Sequence, residues 1–307
     1  MPADPLLRAG YALEFHRYLV RVASAAVDAF LWVFVFSYFM RIIDTPLYAL
    51  VQTLLLYALV QVTAMLVMPL AQQAMRGNML RGLAYGTLFG AIAYVYIGAF
   101  STGSFPHGAA AIALVLGIHH AVYRIPYTME RGAFAPSFYT PFALELFLAA
   151  VPLSVGYLLT SSVSLTTLFF FAGALYIIAL APLLLVPHVY ERYSWGYRET
   201  FHNLLDGRNR RLVFEGLIFG AGGAALFLLW PLAFFLVFTH SLRALGIVFS
   251  LTLLGILLFR SMRGRALAEQ RADGGAYVDE YSVLKEMALA LGRILVCLAV
   301  VVAASMY

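Results

Sequence analysis

Long apolar runs with almost no charge recur along this chain, and nothing else in the sequence constrains its fold as strongly. Stretches such as "AFLWVFVFSYFM", "LYALVQTLLLYALVQVTAMLVMPLA" and "ILVCLAVVVAAS" leave no polar face for water to wet. A bilayer core about 30 Å thick needs roughly 20 apolar residues per helix. On that ruler, spans fall at 22–40, 46–71, 82–101, 108–127, 140–160, 164–187, 212–239, 243–261 and 286–306. The chain therefore reads as an all-α polytopic membrane bundle of about nine transmembrane helices. Only 11% of its 307 residues are charged, against roughly 25% in an ordinary soluble domain, too few to cover a soluble surface.

The arginines set the expected orientation. Arg17 and Arg21, Arg76 and Arg81, Arg124 and Arg131, Arg192 to Arg211, and Arg260 to Arg271 occupy alternate connections. The connections between them, such as "STGSFPHG" and "TSSVS", carry almost no charge. Positive charge held on one side predicts a cytoplasmic N-terminus in a cell's inner membrane. The net charge of +5 is thereby explained by topology, with no nucleic-acid partner implied. Asp4, Arg8, Glu14 and Arg17 interrupt the first residues, so no cleavable signal is expected. The stretch "LLRAGYALEFHRYLVRV" suits either a short helix along the inner interface or a solvated tail.

The longest polar interruption, residues 189–211, separates six spans (1–188) from three (212–307). Its arginines and Tyr190, Tyr193, Trp195 and Tyr197 suit anionic lipid headgroups. Three stretches then carry a family resemblance: "PLAQQAMRGNMLRGLAYG" between spans two and three, "LAAVPLSVGYLLT" in span five, and "FEGLIFGAGGAALFLLWPLAFFLVF" in span seven. With a weaker echo in "FRSMRGRALAEQ", the chain resembles the major facilitator superfamily of transporters. The resemblance implies two bundles rocking about a central cavity to move a small solute. It also implies a complete first bundle at 1–188, a cytoplasmic linker at 189–211 and a second bundle shortened to about three helices. Two departures stand out. The acidic residue of the family's arginine loop is missing beside Arg76 and Arg81, where Gln72 and Gln73 lie instead. "YVDEYSVLKEMALALGRIL" looks like the approach to a penultimate family helix, as though a hairpin and the last helix were lacking. Lipid, a second copy or a partner subunit would then cover the uncovered flanks.

Ionisable residues inside spans cost about 2.5 to 3.5 kcal/mol on insertion scales, so each one is informative. Asp28 lies about 10 Å into span one, and His119 and His120 about 16 Å from the outer face. Adjacent helical residues point about 100° apart, which sends one histidine toward a cavity and the other between helices. Asp28, His119 and His120 are candidates for a substrate or proton pathway, with structural hydrogen bonding as the competing role. Trp230, followed by Pro231, suits a kink and an aromatic cavity wall. Arg76, Arg81, Arg124, Glu145 and Glu215 lie toward the inner side and read as gate or anchor residues, with Pro126 expected to end span four. The glutamates are expected to pair with inner arginines such as Arg211. No phosphate-cradling loop, GxSxG or zinc-helix pattern occurs and Cys297 stands alone, so no enzyme activity, cofactor or metal site is expected. Two functions fit: a secondary transporter, with proton coupling as an extension, or a non-transporting subunit serving as scaffold or assembly factor.

Overall fold

The computed structural model of the protein describes residues 5–75, 78–100, 108–133, 142–161, 163–187, 193–239, 241–269 and 278–306. The chain is an all-α polytopic bundle, as expected for a multi-pass membrane protein. Its first six spans are α1 (Pro5–Ile43), α2 (Pro46–Met75), α3 (Met79–Phe100), α4 (Gly108–Ala133), α5 (Phe142–Ser161) and α6 (Leu165–Ile178), the last continued by the short α7 (Leu180–Leu183). A surface helix α8 (Tyr197–Leu205) precedes the seventh span, formed by α9 (Arg210–Ala224) and α10 (Trp230–Phe234). Then come α11 (Leu242–Glu269) and α12 (Val278–Ser305). Among the described residues, eight stretches are long and apolar enough to cross a membrane, and Leu242–Leu257 of α11 is a shorter apolar helix.

Several boundaries differ from the sequence reading. The N-terminal segment is neither a separate interfacial helix nor a tail, because α1 runs unbroken for 39 residues. At 1.5 Å per residue that is about 58 Å, so α1 outruns a bilayer core of about 30 Å. Pro126 does not end α4, which continues to Ala133. A proline removes one backbone hydrogen bond, and packing can hold the helix through the lost bond. Here the ring sits on Gly82, where any side chain would collide with it. In the seventh span the Trp230–Pro231 step lies between two π-helical turns, Ala225–Leu229 and Phe235–Thr239. The wider turns accommodate the donor that Pro231 lacks.

Five helices close a ring in the order α1, α2, α4, α3, α6 and back to α1. α5 lies outside the ring against α1. The later helices build on this frame: α11 packs along α5, α12 along α2 and α4, and α9 against the far side of α12. Leu228, Leu232, Leu245, Phe249 and Cys297 from these helices join the same apolar core as α1–α6. A second cluster, with Met68, Ile125, Leu284 and Met287, closes the arginine-rich end between α2, α4 and α12.

Without a hydrophobic drive between helices in lipid, close backbone approach holds such pairs. Gly220 and Gly292 show it for α9 and α12, since a Cβ on either would strike the carbonyl of Leu289 or Leu217. Leu55, Leu59, Leu66 and Leu70 of α2 remain exposed on its outer face. Lipid tails suit that stripe, because the helix satisfies its own backbone groups.

Candidate functional site

Polar side chains from five helices converge inside the bundle, and α4 divides them into two groups. Toward the ring interior, His119 is 5% exposed. Its Nδ1 donates to the Gly86 carbonyl at 2.7 Å. The ring stacks on Tyr123 at 5.6 Å and meets Tyr176 edge-on at 5.5 Å. Tyr176 exchanges a 3.0 Å hydrogen bond with Ser24 of α1.

One layer toward the arginine-rich end, His16 lies wholly buried and its Nδ1 donates to the Ala179 carbonyl at 2.7 Å. Ala179 sits where α6 gives way to α7, shortly before Pro182. A neutral imidazole donating through Nδ1 must accept at Nε2, and the Tyr123 hydroxyl lies 3.3 Å from that atom.

Asp28 belongs to this interior but differs from its neighbours in exposure. The Tyr94 hydroxyl reaches its Oδ1 at 3.4 Å. Tyr176 of α6, Tyr57 of α2 and Arg124 of α4 all lie within electrostatic reach. Tyr94 and Tyr176 are buried, at 3% and 1% exposure, yet the Asp28 side chain is accessible. Side chains of four other helices thus lie within reach of this carboxylate, which remains accessible. Charged groups at membrane depth persist where they face a protein interior or a partner.

The second group lines the seam between α2, α4 and α12. His120 and Arg124, four residues apart, share one face of α4. Arg124 lies 3.7 Å from Glu286 of α12, with the two side chains 28% and 15% exposed. Seven residues on, and so on the same face of α12, Arg293 donates to Gln61 Oε1 of α2 at 3.1 Å. His120 Nδ1 is buried and has no hydrogen-bond partner among the described residues. Both arginines lie within electrostatic reach of that ring. His119 thus packs on the ring side, and His120 faces the polar seam.

The arginine-rich end of the bundle is tied by polar contacts. Arg21 of α1 grips Glu145 of α5 through two hydrogen bonds of 2.9 and 2.5 Å. At the same end, Glu280 is 2% exposed and accepts from the Ser194 backbone N–H at 3.0 Å and its hydroxyl at 2.6 Å. Gln73 donates to the Trp195 carbonyl at 3.1 Å, so the loop after the sixth span is pinned to α2 and α12. Burial pushes the neighbouring Tyr193 phenol up to about 12, opposed by its bond to Thr200 and reinforced by Glu280 and Glu199.

The expected site residues therefore separate. Asp28 and His119 lie on the ring side and His120 and Arg124 on the α12 side, with Arg124 within electrostatic reach of the other three. Arg124, two residues before the end of the Gly108–Pro126 span, faces Glu286 of α12. Glu145 pairs with the inner arginine Arg21, and Glu215 pairs with Arg211 at 3.0 Å within α9. Trp230 is 44% exposed, packs on Phe234 at 6.2 Å and shows no contact with Asp28 or the histidines. Arg81 sits at the start of α3, its backbone N–H capped by Asn78; Arg76 lies outside the described residues.

Sequence reasoning missed Glu286, Arg293, Gln61 and the three tyrosines around Asp28. For Arg293 the signal was present, as a charge in the middle of an apolar run. No family model and no curated protein matches the chain.

Proposed function

We propose that this protein is a secondary-transporter-like carrier that moves a small solute through the interior of the bundle by alternating access, coupled to protons through Asp28. The chain would sit in the inner membrane with its N-terminus and arginine-rich end in the cytoplasm. One observation carries the reading: an accessible carboxylate enclosed by α1, α2, α3, α4 and α6 at membrane depth. A scaffold has no use for so costly a group facing an internal opening. Further support comes from where the closing contacts lie. The Arg243 guanidinium sits 4.8 Å over the Tyr157 ring, and Gly156 meets Gly246 between α5 and α11, toward the sparsely charged end. The α2–α4–α12 cluster and the Glu280 contacts lie toward the other. Opening one set while keeping the other is what alternating access requires.

The test is uptake of candidate solutes, and of protons, by proteoliposomes containing the purified chain. Asp28→Asn mimics the protonated carboxyl and keeps most of its hydrogen bonding. It should lower uptake by more than about tenfold while thermal stability is unchanged. Uptake indifferent to Asp28→Asn would sink the reading. A second reading, a non-transporting subunit held in a larger membrane assembly, draws on the seventh span. Only 22% of that span's apolar window is buried, against 61% for α1. Absence of any uptake, together with a stable stoichiometric partner, would favour it.

A further inference from the structure

We infer that Arg293, at the seam of α2, α4 and α12, binds the carboxylate of a small organic monoanion. This rests on the transport reading and names the class of solute. A guanidinium carries five N–H donors in a planar fork. Arg293 uses one of them on the neutral Gln61 oxygen, and no carboxylate lies within ion-pair distance among the described residues. It stands midway along the 28-residue α12, where an arginine without an anion is hard to sustain.

Its surroundings raise the demand. Arg124 lies within electrostatic reach of Arg293 and repels it, while Glu286 stands 3.7 Å from Arg124. A carboxylate at Arg293 offsets that repulsion, and its two oxygens fit the guanidinium fork. His120, with its unpartnered Nδ1, borders the same space. Tyr57, 8% exposed and held edge-on by Trp32 at 4.9 Å, offers an apolar wall to the rest of the molecule. Asp28, across the bundle, lies within electrostatic reach of Arg124. A proton compensates an incoming anion, and the carboxyl that faces Tyr94, Tyr176, Tyr57 and Arg124 is the group placed to carry it.

Binding is measured on the full chain in detergent, where no transport is needed. The probes are butyrate, lactate and benzoate, each against its own amide, with succinate and inorganic phosphate as further arms. At least one monocarboxylate should bind, its amide should not, and Arg293→Gln should weaken binding by at least about tenfold, as loss of a buried charge-assisted pair does. Arg293→Lys keeps the charge without the fork and should fall between. It also decides the matter if Arg293→Gln fails to fold. The inference is overturned if no monocarboxylate binds, if an amide or phosphate binds as tightly as the best carboxylate, or if neither variant weakens binding. Carboxylate binding without uptake would leave this site standing and remove the transport reading. Uptake of other solutes without carboxylate binding would do the reverse.

Discussion

The two faces of α4 solve the same problem differently. On the ring side, His119, Tyr176 and His16 each have a short hydrogen bond, to Gly86, Ser24 and Ala179 respectively. On the α12 side, Arg124 and Glu286 stand 3.7 Å apart, Arg293 rests on one amide oxygen, and His120 Nδ1 has no partner among the described residues. A satisfied polar network in a low-dielectric interior fixes one packing, whereas an unfinished one retains capacity for a ligand or a proton. Asp28 apart, the ring side thus reads as architecture, and the seam holds the unfinished polar groups. One helix separates the two.

The largest expected effect breaks the seam itself. Arg124→Ala leaves the Glu286 carboxylate, 15% exposed, without its partner in a low-dielectric site. Breaking a buried pair from one side costs about 3 kcal/mol. Removing both charges in Arg124→Ala/Glu286→Ala should restore most of that loss, because the cost lies in the stranded charge. Unfolding in detergent for the two single variants and the double variant gives the answer. Equal stability of the Arg124→Ala and wild-type proteins would mean that the seam is wet enough to shield Glu286, and the contrast between the faces would weaken.

On the ring side, His119→Ala should cost about 2 kcal/mol. It removes the imidazole hydrogen bond to the Gly86 carbonyl and opens a hole beside Tyr176. Gly90 explains why the site will not collapse to fill that hole: a Cβ there would stand 2.5 Å from the Tyr176 ring and 2.9 Å from His119 Cε1. The helices are already fitted around the imidazole. Solute binding to the seam by the refolded variant should be unchanged. If His119→Ala abolished binding at wild-type stability, the ring side would not be mere architecture.

What was legible in the sequence follows from where each signal resides. The helices were legible because apolar length fixes them, and Asp28 because a charge in an apolar run is expensive wherever it packs. The separation of His119 from His120 was legible because it depends on helix geometry alone. Arg293, midway along α12, carried the same signal as Asp28 and was passed over. The pairings were not legible. Arg21 meets Glu145 across 124 residues of chain, and Arg293 meets Gln61 across 232, so both depend on which helices become neighbours. Tyr94 and Tyr176 look like core packing until α3 and α6 close around Asp28. Pro126 misled for a related reason: a helix that loses one internal hydrogen bond is kept whole by tertiary contact with Gly82.

The smallest expected effect draws the line most sharply. His120→Ala should change stability by no more than about 0.5 kcal/mol, although the residue adjoins His119 in the chain and their rings lie 5.4 Å apart. Its buried Nδ1 has no bond to lose, so truncation returns a desolvation penalty that offsets the lost packing. The same variant should change solute binding, because it removes a ring that both arginines face. Melting curves of the two alanine variants, recorded in the same detergent, compare adjacent residues of one chemical type on opposite faces of a single helix. A His120→Ala loss as large as that of His119→Ala would show that the seam is packed and satisfied like the ring. The proposed solute site would then have no unfinished face to occupy.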